Sequence, residues 1–165
     1  MISGKIFKYG DDVNTDVIFP GKYTYTVNDP EDMVKHAMED LDEDFVKTVK
    51  EGDVIVGGKN FGCGSSREQA VTCLKYAGIG AVIAVSFARI YFRNCINQGL
   101  PVITLKPDEI ARIHRNDAVS VDFKHGTVHV GDHLFSFPPL SPEVMQILQA
   151  GGLIDYTKAK IHHAN

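Results

Sequence analysis

The stretch from residue 54 to residue 105 reads VIVGGKNFGCGSSREQAVTCLKYAGIGAVIAVSFARIYFRNCINQGLPVITL. Its short apolar runs, at 54–56, 81–85 and 101–105, are typical of buried strands. The segments between them carry apolar residues at helical spacing, and glycines follow each, which predicts helices over 65–77 and 87–98. This alternation predicts a central parallel βαβαβ unit in an α/β fold.

Further elements are expected on both sides of this unit, with no repeat or linker between them, so we predict a single domain over residues 1–165. Residues 2–9 alternate between apolar and polar side chains and predict a first strand. Asp29-Pro30 and Ser141-Pro142 are typical of helix starts, and Gly151-Gly152 is typical of a helix end. The other predicted elements are short helices around Phe45 and after Pro107, and a hairpin formed by 119–123 and 127–130.

The composition excludes several classes of protein and of binding partner. Of 165 residues, 44% are hydrophobic and 23% are charged, which excludes a disordered or fibrous protein. The net charge of −4 favours neither nucleic acid nor an anionic membrane as a partner. The longest apolar stretch, 79–85, is too short to span a bilayer, and the N-terminus lacks a signal-peptide pattern. We therefore expect a cytoplasmic protein.

The three cysteines, Cys63, Cys73 and Cys95, predict neither a disulfide framework nor a metal site. Their number is odd, and no two of them form a C-x-x-C pair. Reduced thiols and no metal bound by this chain are the expected state.

The glycine-rich loop at 57–64 is the strongest local feature, because backbone N–H groups in such a loop, with the start of a helix behind them, bind anions. Arg67 adds a planar fork that suits a carboxylate or a phosphate. Two alternatives remain open. Ser65 and Glu68 have the spacing of a capping box, which would make Ser65 only a helix cap in a structural protein. The second alternative is a non-enzymatic domain whose loop binds an anion or a nucleotide, although Arg67 stands where a dinucleotide fingerprint has its third glycine.

Two other segments have simpler interpretations. The acidic stretch at 11–16 lacks the glycine and glutamate of a calcium loop and is typical of an Asx-rich turn. In the segment at 86–93, Ser86 is a candidate N-cap, and Phe87, Ile90 and Tyr91 are candidate core residues. Arg89 and Arg93 lie four positions apart and predict a solvated helix face.

Together these motifs resemble the swivelling domain of the aconitase superfamily. The segments that carry the resemblance, in family order, are Asn14–Ile18, Asn60–Glu68, Ser86–Ile90, Asn94 and Gln98-Gly99. The resemblance extends over roughly residues 2 to 157 and implies a swivelling β/β/α domain with additional antiparallel strands. The length and the start at Met1 are similar to those of free-standing 3-isopropylmalate dehydratase small subunits, hydro-lyase components that act in leucine biosynthesis.

The resemblance assigns chemical roles to individual residues. Ser65 is implied as the base that removes a carbon-bound proton from a 2-hydroxy diacid. Ser66 and Arg67 are implied to bind a substrate carboxylate, with Asp16 and Gly64 in support. The family's [4Fe–4S] cluster is held by three cysteines, which this chain's cysteines do not match. We therefore expect no cofactor on this chain, a cluster-bearing large subunit in a heterodimer or heterotetramer, and an isolated chain that is inactive.

The loop at 20–29 bears on the substrate. Family members that bind an extra carboxylate use an arginine there, and this loop has none. Lys22 offers charge without the fork. The expected substrate-binding residues of the loop, which suit an alkyl group, are Tyr23, Thr24, Tyr25 and Thr26. This favours isopropylmalate over citrate or homocitrate and leaves a homoaconitase, citramalate or dimethylmalate type open.

Overall fold

A seven-stranded mixed sheet organises the chain, of which the computed structural model describes residues 1–164. The expected domain boundary at residue 165 lies outside the described residues. The strands are β1 (Ile2–Lys8), β2 (Val54–Val56), β3 (Ala81–Ala84), β4 (Val102–Thr104), β5 (Ala118–Asp122), β6 (Thr127–Val130) and β7 (His133–Ser136). Their order across the sheet is β4-β3-β2-β1-β5-β6-β7. The half from β1 to β4 is parallel, and β5, β6 and β7 continue from β1 as antiparallel strands.

Eight α-helices and a short 3-10 helix (Gly21–Tyr23) complete the described part of the chain. The α-helices are α1 (Thr15–Ile18), α2 (Pro30–Val34), α3 (Phe45–Thr48), α4 (Gln69–Tyr76), α5 (Arg89–Gln98), α6 (Pro107–Ile110), α7 (Pro142–Ala150) and α8 (Leu153–His163). Helix α4 joins β2 to β3, and α5 joins β3 to β4. This confirms the predicted parallel βαβαβ unit. Asp29 and Ser141 cap α2 and α7 through their side chains, as the Asp-Pro and Ser-Pro pairs predict.

The parallel half of the sheet is buried on both faces. Alternate residues of β2 show this, because Ile55 packs in the cluster formed with α1, α2, α4 and α5, whereas Val54 and Val56 pack on the opposite face. That opposite cluster includes Val121 and Phe135 of the antiparallel strands. The antiparallel half therefore covers one face and the helices cover the other, which confirms the β/β/α layering.

Several boundaries differ from the predicted ones. Helix α4 begins at Gln69 rather than at 65, and no side chain caps it, so the predicted capping box is wrong. Helix α5 begins at Arg89 after Ala88, and Ser86 instead accepts a hydrogen bond from the Asn60 N–H at 2.8 Å. Ile90, predicted to be core, is 56% exposed. Strand β7 and helix α8 are additional elements that the sequence pattern did not predict.

No helix in residues 1–164 combines the length and the apolar character needed to cross a membrane.

Candidate active site

The glycine-rich loop is held against neighbouring loops by its own backbone N–H groups. Gly58 N donates to the Gly10 carbonyl at 2.9 Å, Gly62 N donates to the Val13 carbonyl at 2.7 Å, and Lys59 N donates to Asp11 Oδ1 at 2.7 Å. The amides of residues 57, 60 and 61 are also bonded within the chain. The predicted use of this loop as an anion cradle is therefore wrong for residues 57–62, because their donors are already satisfied. The loop serves as a rigid support instead.

The turn that leads into the predicted site requires glycine. Gly62 has φ +81° and Gly64 has φ +95°, both in the left-handed region that L side chains rarely adopt. A Cβ at Gly62 would also overlap the ring of Tyr91, a buried residue of α5. This close packing of Gly62 on α5 fixes where the next residues, Ser65 and Ser66, emerge.

Ser65 opens into a cleft of about 340 Å³. Its carbonyl accepts a hydrogen bond from Thr15 Oγ1 at 2.8 Å, while its exposed hydroxyl makes no hydrogen bond within residues 1–164. The structure thus holds the backbone of Ser65 and leaves the hydroxyl free for a ligand. The cleft is lined by Thr15, Gly62, Gly64, Ser65, Ser66, Arg67, Ala88, Arg89, Ile90, Tyr91 and Asn94.

The helix that begins at this cleft is α5, not α4. Ala88 precedes α5 and offers no side-chain cap, and Arg89, Ile90 and Tyr91 of its first turn line the cleft. The partial positive charge of a helix N-terminus acts within about one turn. The sequence predicted that the helix after Ser65, α4, provides this positive charge. In the structure the first turn of α5 provides it at the cleft, since α4 starts four residues after Ser65.

Arg67 lies beside Ser65 and forms an ion pair with Asp16 of α1. The backbone of Asp16 is held in place because Asn14 Oδ1 accepts the Asp16 N–H at 2.6 Å. This bond is the Asx turn expected for the acidic stretch. The side chain of Arg67 is mostly buried and that of Asp16 is half exposed. The structure thus brings Asp16, Arg67 and Ser65 together, although 51 residues separate the two charged partners.

Gly21 also sets the position of Arg67. A Cβ at Gly21 would lie 2.7 Å from one terminal nitrogen of Arg67 and 3.0 Å from the other. Such a contact is too short, so a larger residue at position 21 would push the guanidinium away.

With the large subunit that the resemblance implies, we expect Gly21→Ala to lower kcat/KM roughly 3- to 30-fold, because a misplacement of about 1 Å in a binding group can cost on the order of 100-fold. The free energy of unfolding should hardly change, since the displaced atoms end a flexible side chain and Gly21 has no positive φ. Gly10→Ala is the matched control, because a Cβ there meets nothing within 4 Å. Equal kinetics for the two variants would show that Gly21 does not position Arg67.

The expected alkyl-binding residues are not part of this cleft. Tyr23 stacks on the His36 ring at a centroid distance of 3.7 Å, and Lys22 Nζ lies 3.4 Å from Glu39. The Thr24 hydroxyl is buried. Tyr25 is 92% exposed, and Thr26 is also exposed. In the chain by itself, therefore, Tyr25 and Thr26 remain accessible to a ligand, while Tyr23 and Thr24 belong to the support of the loop.

The cysteines do not fit an iron–sulfur cluster. Cys73 and Cys95 are buried in the core, and burial raises the pKa of both thiols, which disfavours the thiolate that binds iron. Cys63 lies apart from them in the glycine-rich loop and is partly exposed. Among the described residues, no group of three or more His, Cys, Asp or Glu side chains is placed to hold a metal ion.

Three polar residues that line the cleft had no binding role assigned from the sequence: Thr15, Arg89 and Asn94. Thr15 lies within the Asn14–Ile18 motif, and the other two lie in the segment that follows β3. All three lie in segments that carry the family resemblance, and this position is the sequence signal that could have identified them.

Comparison with known proteins agrees with this geometry. The Aconitase C-terminal domain family matches residues 11–108, which include the whole cleft. The 3-isopropylmalate dehydratase small subunit of Halothermothrix orenii is 47% identical over 165 residues, with 99% of each chain covered. The small subunit 1 of Thermotoga maritima is 44% identical and covers 96% of this chain and 95% of its own. The chain belongs to the 3-isopropylmalate dehydratase small-subunit family.

The fold comparison supports the same membership. A crystal structure of 3-isopropylmalate dehydratase from Methanocaldococcus jannaschii has a TM-score of 0.91 and 45% identity, covering 99% of this chain and 96% of that chain. The small-subunit family thus confirms the resemblance drawn from the Asn60–Glu68 and Ser86–Ile90 motifs. It also favours an enzyme component over the non-enzymatic binding domain.

Proposed function

We propose that this chain is the small subunit of a hydro-lyase that interconverts 2-isopropylmalate and 3-isopropylmalate by dehydration and rehydration in leucine biosynthesis. One observation carries the proposal. The Ser65 hydroxyl stands unbonded in an open cleft, beside an arginine whose position Asp16 and Gly21 determine. The names of the relatives support the substrate class.

Ser65 would act as the base that removes the proton from the carbon next to a carboxylate. A serine hydroxyl is too weakly acidic to ionise near neutral pH without positive surroundings. The first turn of α5 and the Arg67 guanidinium provide such surroundings at the cleft. Ser66 and Arg67 would bind the adjacent carboxylate, with Asp16 and Gly64 in support.

Departure of the hydroxyl group requires an acid, which the resemblance implies to be the Lewis acid of an iron–sulfur cluster, and this chain does not supply one from its own cysteines. We propose that a large subunit carries a [4Fe–4S] cluster and closes the open side of the cleft in a heterodimer or heterotetramer. Residues 1–165 would then work as one swivelling domain in the cytoplasm, where the thiols remain reduced.

The loop at 20–29 would select the alkyl substrate. Tyr25 and Thr26 project from it and are free to contact a group held between the subunits. No arginine is present to pair with a third carboxylate, and Lys22 is already engaged by Glu39. These features favour 3-isopropylmalate over citrate and homocitrate.

The test is reconstitution under anaerobic conditions with the candidate large subunit of the same organism. We expect no turnover by either subunit alone, and turnover of 3-isopropylmalate by the mixture. In a panel of hydroxy di- and tricarboxylic acids, we expect kcat/KM to be highest for 3-isopropylmalate, lower for citramalate and dimethylmalate, and lowest for citrate and homocitrate.

Each contrary result has a definite meaning. Turnover by the isolated chain would contradict the division of the site between two subunits. A mixture that prefers homocitrate would assign the chain to a homoaconitase, and nucleotide binding by the chain alone in a calorimetric titration would favour the binding-domain alternative.

A further inference from the structure

Two cations line the cleft, and they are in different electrostatic situations. Arg67 is paired with the half-exposed Asp16, so part of its charge is compensated within the chain. Arg89 is exposed and has no carboxylate partner within 4.0 Å among residues 1–164. The other described lining residues are uncharged. The unbalanced positive charge of the cleft therefore resides on Arg89.

We propose that Arg89 binds the second carboxylate of the diacid substrate, the one that Ser66 and Arg67 do not hold. This inference rests on the proposed function, which makes the substrate a dianion. Among the side chains of this chain, Arg67 shares its charge with Asp16 and does not by itself balance two carboxylates, and burying an unbalanced charge between subunits is costly. A second guanidinium with a free planar fork supplies the missing counter-charge in a form that matches a carboxylate.

The backbone at Arg89 is suited to this role because it is held in place. The Ala88 N–H donates to the Phe61 carbonyl at 2.9 Å, which joins the start of α5 to the glycine-rich loop. Two residues farther on, Tyr91 is buried and its hydroxyl donates to the Ala70 carbonyl at 3.1 Å. The backbone on both sides of Arg89 is thus held in place, and only its side chain needs to adjust to the ligand.

Arg93 offers an internal comparison. It lies one turn farther along α5, is also exposed and also has no ion pair in the described structure. It lies in a neighbouring groove that Arg89 also lines, and unlike Arg89 it does not line the cleft. A general effect of positive charge on α5 would therefore appear at both positions, whereas carboxylate binding would appear at Arg89 alone.

The test uses the reconstituted complex of the two subunits with Arg89→Ala, Arg89→Lys and Arg93→Ala. The probes are 3-isopropylmalate as substrate, isopropylsuccinate as a competitive diacid and 4-methylpentanoate as the matched acid with one carboxylate. We expect Arg89→Ala to raise the KM and the inhibition constant of the diacid about 10- to 100-fold, the usual effect of losing a hydrogen bond between charged groups. The inhibition constant of the monoacid should change less than twofold.

The other two variants sharpen the result. Arg89→Lys should recover part of the diacid affinity, because it keeps the charge and loses the fork. Arg93→Ala should change each constant less than twofold. Melting temperature and the dissociation constant of the two subunits, measured for every variant, separate substrate binding from folding and assembly.

Two outcomes would overturn the proposal. One is an equal loss of diacid and monoacid affinity in Arg89→Ala. The other is weaker subunit association with an unchanged KM at saturating large subunit, which would show that Arg89 pairs with an acidic group of the partner. A wild-type complex that turns over no diacid would instead overturn the proposed function on which this assignment rests.

Discussion

Replacing Ser65 by alanine is expected to lower kcat of the reconstituted complex by roughly 10²- to 10⁴-fold, the usual contribution of a positioned base. The substrate carboxylates would still meet Ser66, Arg67 and Arg89, so KM should change little. The measurement is steady-state turnover of 3-isopropylmalate, together with exchange of its carbon-bound proton with solvent. Both rates should fall together, because the same hydroxyl would serve both.

The stability of the Ser65→Ala variant decides between a catalytic and a structural serine. A helix cap contributes about 1 kcal/mol, and its loss would lower the free energy of unfolding by that amount. Ser65 does not cap α4, and only its carbonyl is bonded within the described chain. We therefore expect a change within about 0.5 kcal/mol, as for other exposed positions.

Ser136→Ala, at an exposed position of β7, is the matched control and should leave turnover and stability as they are. A Ser65→Ala complex with normal proton exchange would remove Ser65 from the reaction. A variant that melts several degrees lower would restore a structural role for it.

The central architecture could be predicted from local patterns. All residues of β2 and β3 are buried, as are the first two of β4, and strands of that kind show as continuous apolar segments. Helix α8 could not be predicted in this way, because none of its residues is fully buried and its sequence therefore lacks a strong apolar stripe. Strand β7 could not be predicted for a similar reason, since only Phe135 of its four residues is buried.

The site shows where local patterns fail. Ser65 and Glu68 have the spacing of a capping box, yet the chain between them does not become helical. One visible reason is a long-range bond, from Thr15 Oγ1 to the Ser65 carbonyl, which holds the residue in the turn after Gly64. The Asp16–Arg67 pair and the contact of Gly21 with Arg67 likewise join segments about 50 residues apart. Such contacts depend on the tertiary fold, and residue spacing does not reveal them.

Arg67→Ala is the second substitution from which we expect a large effect. The variant would lose the proposed pair between Arg67 and a substrate carboxylate. Removing one partner of such a desolvated, hydrogen-bonded charge pair typically costs about 2–5 kcal/mol, which corresponds to roughly 30- to 5,000-fold in kcat/KM. Most of the loss should appear in KM, because the proposed contact exists in the bound substrate as well as in the transition state. Arg67→Lys should lose less, since it retains the charge but lacks the planar fork.

Arg112→Ala is a suitable control, because Arg112 is also paired with an aspartate, Asp108, at 3.8 Å, and does not line the cleft. It should leave KM unchanged. Arg67→Ala with an unaltered KM would show that the substrate carboxylate is bound elsewhere.

Substitution of Asp16 separates the role of the Asp16–Arg67 ion pair from that of Arg67 itself. If Asp16 acts only by holding Arg67 in place, Asp16→Ala should raise KM in the wild-type background and have almost no effect once Arg67 is alanine. A double-mutant cycle measures this difference directly. An equal effect of Asp16→Ala in both backgrounds would mean that Asp16 takes part in the reaction independently of Arg67. Its half-exposed carboxylate would then need a partner of its own.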